Sequence, residues 1–203
     1  MSDATLTDVK RRAASEHVVD ATRRLFGSHG LDITMDQIAE AAGVSRRTLF
    51  RHFETRERLL VAAVTSGMVR YGEHLPVFGP GDDWRAWLRA TCEATHRMNA
   101  NFGRGYWELS SRADLPAELQ AVERKRRAAR RGAMTRIAAV LWDASGRGGP
   151  TPDQQVPDEL VAVVGAHLSA HFTLADTTDV GERWPAAAAM AEAAILAALD
   201  QTR

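Results

Sequence analysis

Apolar residues recur at steps of three and four along almost the whole chain, and no stretch shows the apolar–polar alternation that a strand requires. One example is the series Ala14, Val18, Ala21 and Leu25, which would form a single stripe on one face of a helix. Of the 203 residues, 45% are hydrophobic, enough for a buried core. The spacing therefore predicts an all-α fold, with about nine helices.

Cap and turn residues set the boundaries of the predicted helices. Thr34 with Gln37 forms a capping box, Ser45 and Thr55 are further caps, and Gly43 suits a turn of positive φ. The expected helices are 9–28, a short one after the capping box, 46–52, 55–74, one from Trp84, a short one at 106–111, 114–144, and the last two at 157–176 and 185–201.

The segment AGVSRRTLFRHF, residues 42–53, concentrates four arginine or histidine side chains in a chain whose formal net charge is zero. Two short helices joined by a tight turn at Gly43 fit a helix-turn-helix. On the second of them, Leu49 and Phe53 would face the core, which leaves the basic side chains outside. Arginine suits guanine edges and phosphate oxygens, so we expect this helix to enter a major groove of DNA. A solvated helix end is the alternative.

This region resembles the N-terminal signature of the TetR family of bacterial transcriptional regulators. The matching positions cover about a quarter of the chain and are Phe26, Gly30, Thr34, Ile38, Ala39, 42–45, 48–50, His52, Phe53, Arg56 and Leu59. The resemblance implies a homodimer on a palindromic double-stranded DNA operator, usually a repressor that a small ligand releases. The helix and the resemblance together give these candidate DNA-binding residues: Thr34, Ser45, Arg46, Arg47, Thr48, Phe50, Arg51, His52 and Arg56.

The resemblance also implies roles for these side chains. Arg46 and Arg47 would read bases, whereas the hydroxyl and histidine side chains and Arg56 would contact phosphates. Phe50 stands where the family usually has tyrosine, so only an apolar contact remains there. Arg56 stands where lysine is common, which would hold a phosphate with a different geometry.

By the same resemblance, the chain consists of a flexible tail (1–8), a helix-turn-helix DNA-binding domain (9–59) and a ligand-binding and dimerisation domain (60–203). The last two helices, 157–176 and 185–201, would pair with their copies in a four-helix bundle. The small residues that would form a ridge for that contact are Ala187, Ala191, Ala194 and Ala198. Packing inside one chain would produce the same pattern.

Aromatic, apolar and a few polar side chains of the second domain are candidates for an effector pocket, because such sites are mostly apolar. Ordinary core packing is the alternative for each of them. The candidates are Trp84, Trp87, Leu88, Thr91, Cys92, His96, Phe102, Tyr106, Trp107, Met134, Ile137, Leu141, His167 and His171. We expect a small, largely apolar effector.

His167 and His171 are four residues apart, a spacing that would put both on one helix face and would suit a metal pair. No carboxylate or cysteine at ligand spacing completes such a site, so we predict neither a metal nor a cofactor. Arg126 and Arg130 fall on the same helical arc as apolar residues. They either pair with acids elsewhere, which we favour, or meet an anionic effector.

Enzymatic motifs are not apparent, since the sequence has no glycine-rich phosphate loop, no G-x-S-x-G and no H-E-x-x-H. We therefore predict a regulator and not an enzyme. Two alternatives remain: an architectural helix-turn-helix protein without a pocket, and an all-α enzyme with an incidental helix-turn-helix. The single cysteine, Cys92, and the lack of a signal peptide or membrane span lead us to expect a cytoplasmic protein without a membrane partner.

Overall fold

The computed structural model describes residues 6–147, 156–180 and 183–201. In these ranges it contains nine α-helices and no strand, so the prediction of an all-α fold is confirmed. The helices are α1 (Leu6–His29), α2 (Met35–Ala41), α3 (Arg46–Phe53), α4 (Arg56–His74), α5 (Trp84–Ser111), α6 (Ala117–Ala144), α7 (Asp158–His167), α8 (Ala170–Leu174) and α9 (Trp184–Gln201), with a π-helical turn, Ala175–Val180, directly after α8. Residues 1–5 of the predicted tail lie outside the described ranges. No described helix is both long and apolar enough to span a membrane.

The caps predicted for the first third of the chain are confirmed. Thr34 and Gln37 form both bonds of the capping box, and the Ser45 side chain accepts a hydrogen bond from Thr48 N. Gly30 and Gly43 have φ values of 87° and 60°, where an L side chain would be strained. Local sequence thus sets these helix ends.

The predicted break between a helix from Trp84 and a short helix at 106–111 is wrong, because α5 runs without interruption from Trp84 to Ser111. Gly105, directly before the predicted short helix, lies inside α5. A Cβ at Gly105 would be 2.3 Å from the Phe26 carbonyl oxygen of α1 and 2.7 Å from the Phe26 ring. The glycine therefore allows two helices to approach closely.

The predicted single helix at 157–176 is also wrong. It is divided at Leu168 and Ser169 into α7 and α8. Ser169 has an extended backbone (φ −89°, ψ 154°), and its side chain caps α8 by accepting a hydrogen bond from Phe172 N at 3.0 Å. Consequently His167 and His171 lie on different helices and do not share the face that their spacing predicted.

The chain divides into two compact units. The first extends to Arg70 and includes Arg104–Arg124; the second comprises Tyr71–Gly103 and the chain from Lys125. Helices α4, α5 and α6 each contribute residues to both units. The assignment of functional domains to 9–59 and 60–203 stays a prediction.

Each unit has its own apolar core. In the first unit, residues of α1–α4 such as Phe26 and Leu49 pack with Leu109 of α5 and Leu119 of α6. Ala14, which periodicity placed on the buried stripe of α1, is exposed. In the second unit, side chains from α5, α6, α7 and α9 form one cluster around residues such as Leu141 of α6.

Two alanines of the predicted dimer ridge belong to the core of the chain itself. Ala187 and Ala191 are both fully buried, as are Ile195 and Leu199 on the same face of α9. The prediction that this face meets a second copy is therefore wrong for those positions. Ala189, Met190, Ala193 and Ala197 lie on the opposite side of α9 and are exposed.

Candidate nucleic-acid interface

The turn between α2 and α3 is held by backbone hydrogen bonds. Gly43 N donates to Glu40 O at 3.0 Å, and Val44 N donates to Ala39 O at 3.0 Å. A Cβ on Gly43 would meet no atom within 4 Å, so glycine is needed for its positive φ and not for space. The two short helices are thereby fixed as a helix-turn-helix.

Helix α3 separates an apolar inner face from a basic outer one. Leu49 is fully buried, and Phe53 packs partly against the same core. The outward-facing side chains are Arg46, Arg47, Phe50 and Arg51, all exposed; Phe50 has 41% of its surface accessible. Thr48 and His52 are half-buried at the edges of this outer face.

The structure distinguishes the arginines of α3 from one another. The Arg46 guanidinium donates to both carboxylate oxygens of Asp36 at 3.2 Å and lies 5.5 Å from the centre of the Phe50 ring. Arg47 and Arg51, one helical turn apart, have no partner among the described residues. Two guanidinium groups therefore stand free on the face that would enter a groove, and a third is held by an exposed ion pair that is weak in water.

The hydroxyl groups of the two caps are partly used within the protein. Thr34 Oγ1 accepts from Gln37 N and donates to Gln37 Oε1, both at 3.2 Å. Ser45 Oγ and Thr48 Oγ1 are 2.9 Å apart and share one hydrogen bond. Because two hydroxyls supply two protons and only one is used between them, one O–H remains for a phosphate oxygen.

Arg56 holds the loop between α1 and α2. Its Nη1 donates to Leu31 O at 2.7 Å and to Ile33 O at 3.2 Å, and its Nε donates to Glu57 at 3.2 Å. Sequence reasoning assigned Arg56 to a DNA phosphate, which stays a prediction. In the free protein its guanidinium is already committed to backbone carbonyls.

Two further side chains hold the same loop, and sequence reasoning missed both. Glu108 of α5 accepts a hydrogen bond from Leu31 N at 2.7 Å, and Arg112 donates to Asp32 at 2.7 Å. The Arg112 hydrogen bond lowers the pKa of Asp32 below its ordinary value. The partners are 77 and 80 residues apart, so no local pattern could have indicated them.

The candidate effector residues fall into both units. The core of the second unit brings together Trp87, Leu88, Cys92, Met134, Ile137 and Leu141, with Trp84 packed against it. Thr91 and His96 are buried in that unit, whereas Phe102 and His167 are half-buried and His171 is exposed. Tyr106 and Trp107 belong to the first unit, where the Tyr106 ring meets Phe26 edge-on at 5.2 Å and Trp107 is 43% exposed.

Burial changes the chemistry of three side chains in the second unit. It raises the pKa of Cys92 to about 12 and, with a smaller effect of His167, lowers the pKa of His96 to about 4. It also lowers the pKa of Arg130, whose Nη2 donates to the Gly165 carbonyl. Among the described residues no acid pairs with Arg130, contrary to the favoured expectation, and a backbone oxygen takes that place.

Known proteins share this helix-turn-helix. The family model described as "Bacterial regulatory proteins, tetR family" matches residues 18–63. The HTH-type transcriptional regulator TtgW of Pseudomonas putida is 30% identical over 95 residues, which are 46% of this chain and 71% of that protein. The chain belongs to the TetR family. Its relatives and its fold are those of transcriptional regulators and not of enzymes.

Solved TetR-family structures share the fold over most of the chain. A regulator from Haloarcula marismortui superimposes with a TM-score of 0.66 at 16% identity, covering 94% of this chain and 98% of that one. A regulator from Marinobacter aquaeolei gives 0.58 at 22% identity, covering 92% and 97%.

Sequence similarity to curated relatives is more local. An uncharacterized HTH-type transcriptional regulator of Mycobacterium tuberculosis is 42% identical over 65 residues, 32% of either chain. The chain matches about a quarter to a third of the length of this and two other mycobacterial relatives. The family model itself matches only residues 18–63, which contain the helix-turn-helix.

Proposed function

We propose that the protein is a homodimeric DNA-binding transcriptional regulator, a repressor that leaves a palindromic operator when a small effector binds its second unit. The observation that carries the proposal is the outer face of α3. There, Arg47 and Arg51 are exposed and have no partner among the described side chains, while Leu49 anchors the helix from beneath. Unpaired guanidinium groups on a rigid helix can bind guanine O6 and N7 without first breaking a contact.

Two copies are needed because one recognition helix reads only a few base pairs. A two-fold dimer places its recognition helices about 34–36 Å apart, in successive major grooves. Helices α7 and α9, which pack against each other, offer surfaces for this contact. The outward side of α7 carries exposed Ala162 and Ala166, and that of α9 carries Ala193 and Ala197, so a second copy could approach closely.

The effector part of the proposal rests on the second unit. Its core combines large apolar side chains with buried polar ones such as Thr91 and His96, the composition that small-molecule sites show. A compound bound there would act on DNA affinity only through its different affinities for the two states of the protein.

DNA selection tests the proposal. We expect a random-sequence library bound by the wild-type protein to yield a palindrome, and sedimentation of the complex to show two chains per site. Arg47→Ala should relax the preference at one or two positions of each half-site. The matched control is Arg97→Ala, which removes the same charge from an exposed position of α5 in the second unit and should leave the motif intact. A monomer that binds its selected site tightly, or a motif unchanged by Arg47→Ala, would refute the proposal.

A further inference from the structure

A set of buried polar groups interrupts the apolar core of the second unit. On α5, Thr91, Thr95 and His96 have at most 1% of their surface exposed, and Thr173 of α8 is fully buried. Tyr71 OH donates to Thr95 at 3.4 Å. Buried polar atoms cost stability unless they are hydrogen-bonded, so each of these groups is expected to have a hydrogen-bond partner.

The hydrogen bonds of Thr173 determine which nitrogen of His96 carries the proton. The Thr173 hydroxyl donates its only proton to the carbonyl oxygen of Ser169 at 3.1 Å. It can therefore only accept from its two other partners, His96 Nδ1 at 2.9 Å and Asn99 Nδ2 at 3.0 Å. In a neutral imidazole the proton is then on Nδ1, and Nε2 is a bare acceptor.

That acceptor has no hydrogen-bond partner in the described part of the protein, although it is buried. Burial lowers the pKa of His96 to about 4, against a smaller opposing effect of a hydrogen bond between its ring and the backbone of His167, so the ring is neutral at physiological pH. The Phe172 ring lies 5.8 Å from the His96 ring and is itself 5.1 Å from the ring of His167, so an aromatic side chain packs beside His96.

Two further buried oxygens in the same unit also lack a described partner: Thr91 Oγ1, on the same helix as His96, and Asp176 Oδ2, three residues beyond Thr173. Asp176 lies in the π-helical turn Ala175–Val180, a rare geometry that often accompanies function. Of the three buried atoms without a described partner, His96 Nε2 and Asp176 Oδ2 can only accept hydrogen bonds.

We propose that His96 Nε2 is the recognition point of the effector site, and that it takes an uncharged aromatic or alicyclic compound that donates a hydrogen bond from a hydroxyl or N–H group. The inference rests on the proposed function and specifies the chemistry of its ligand. The neutral His96 acceptor and the Asp176 carboxylate offer neither a positive charge nor a hydrogen-bond donor to a carboxylate or phosphate group, so we expect an uncharged donor at this point. An apolar compound without a donor would leave Nε2 unsatisfied, which is the more costly outcome for a buried acceptor.

The first test uses nitrogen-15 spectra of the histidines in the full-length protein without DNA. We expect His96 to show a protonated Nδ1 and a bare Nε2 at pH 7, and Nε2 to become hydrogen-bonded when a donor compound binds. This measurement needs no variant. A proton on Nε2 in the free protein would overturn the proposal.

The second test is calorimetry with matched probes: phenol, anisole and benzoate, and 2-naphthol, 2-methoxynaphthalene and 2-naphthoate. In each set, the hydroxyl compound should bind about tenfold more tightly than its methyl ether, and the carboxylate should not bind. In His96→Phe, which keeps an aromatic ring but removes the acceptor, the ratio should fall to about one. His74→Phe, at an exposed histidine at the end of α4, is the control and should keep the wild-type ratio.

The outcomes separate this inference from the proposed function. Failure of both hydroxyl compounds to bind, or an unchanged ratio in His96→Phe, would overturn the inference. Binding that depends on His96 but leaves operator affinity unchanged would support the site and refute release by an effector. Release of the operator by a compound that binds His96→Phe equally well would support the proposed function and overturn the inference.

Discussion

At the scale of single residues, the arginines of α3 are not equivalent. Arg47 has no partner in the described part of the chain, whereas Arg46 must leave Asp36 and the Phe50 ring before it can reach a base. We expect Arg47→Ala to weaken binding to the selected site by about 1–3 kcal/mol. Arg46→Ala should weaken binding by less, because part of the free energy that Arg46 gains on DNA only replaces its ion pair with Asp36. Fluorescence titrations at one salt concentration would measure both, and a larger loss for Arg46→Ala would contradict this ranking.

His96 makes stability depend on pH. Its folded-state pKa of about 4 lies below the ordinary value of 6.5, so between these values the unfolded chain binds a proton that the folded chain does not. The stability that His96 contributes is fully present above pH 6.5, the pKa of the unfolded chain, and is lost as the pH falls to about 4, the pKa in the folded protein. We expect about 2–3 kcal/mol of the free energy of unfolding to disappear across this window.

Urea unfolding at pH 7 and pH 4.5 would test this expectation. Other groups also titrate in this range, so the comparison is between the wild type and His96→Phe. The wild type should lose more stability than the variant as the pH falls. Equal losses in the two proteins would show that His96 is not the group responsible.

At the scale of elements, the loop between α1 and α2 is clamped from two sides within the first unit. Glu108 binds Leu31 N, and Arg56 binds the carbonyls of Leu31 and Ile33. Glu108→Ala should cost about 1–3 kcal/mol in the free energy of unfolding, because it leaves a backbone N–H without its partner. The control, Glu118→Ala, removes an exposed carboxylate from α6 in the same unit and should change stability by less than about 0.5 kcal/mol. Equal effects of the two changes would contradict a clamp.

Helix α9 has two faces with different expected roles. Ala191 is fully buried within the chain, while Ala193 is exposed on the face that we propose contacts a second copy. Ala193→Arg should leave the helix content unchanged and convert the dimer to monomers, because a long charged side chain prevents close approach. Sedimentation would measure this, with Ala100→Arg, at an exposed alanine of α5, as control. A variant that stays dimeric would exclude this face as the interface.

At the scale of the whole molecule, the continuous helices α4, α5 and α6 join the two units, so each offers a covalent route by which an effector could influence α3. Binding linkage requires that the effector and the operator weaken each other by the same factor. A coupling of about 2–3 kcal/mol corresponds to roughly 30- to 150-fold. Calorimetry would measure the factor by which operator DNA weakens effector binding. Operator titrations would measure the factor by which the effector weakens DNA binding, and the two factors should be equal. Unequal factors would indicate that a further species takes part.

The sequence alone was sufficient for the features that depend on short windows of chain. The capping box at Thr34, the turn at Gly43 and the apolar stripe beneath α3 each need only a few consecutive residues, since hydrogen bonds and side-chain spacing in a helix repeat every three to four positions. The all-α fold and the basic outer face of the helix-turn-helix follow from the same local rules. For the same reason the TetR resemblance was visible in about a quarter of the chain.

Tertiary structure alone decided which face of a helix is buried and which distant groups meet. The helix break predicted before residue 106 is absent, because Gly105 allows α5 to pack closely against Phe26 of α1. The alanines of α9 are chemically alike, and only packing inside the chain separates buried Ala187 from exposed Ala193. The contacts of Glu108 with Leu31 and of His96 with Thr173 each span 77 residues. Such contacts depend on how whole helices pack, which is a property of the complete fold and of no local segment.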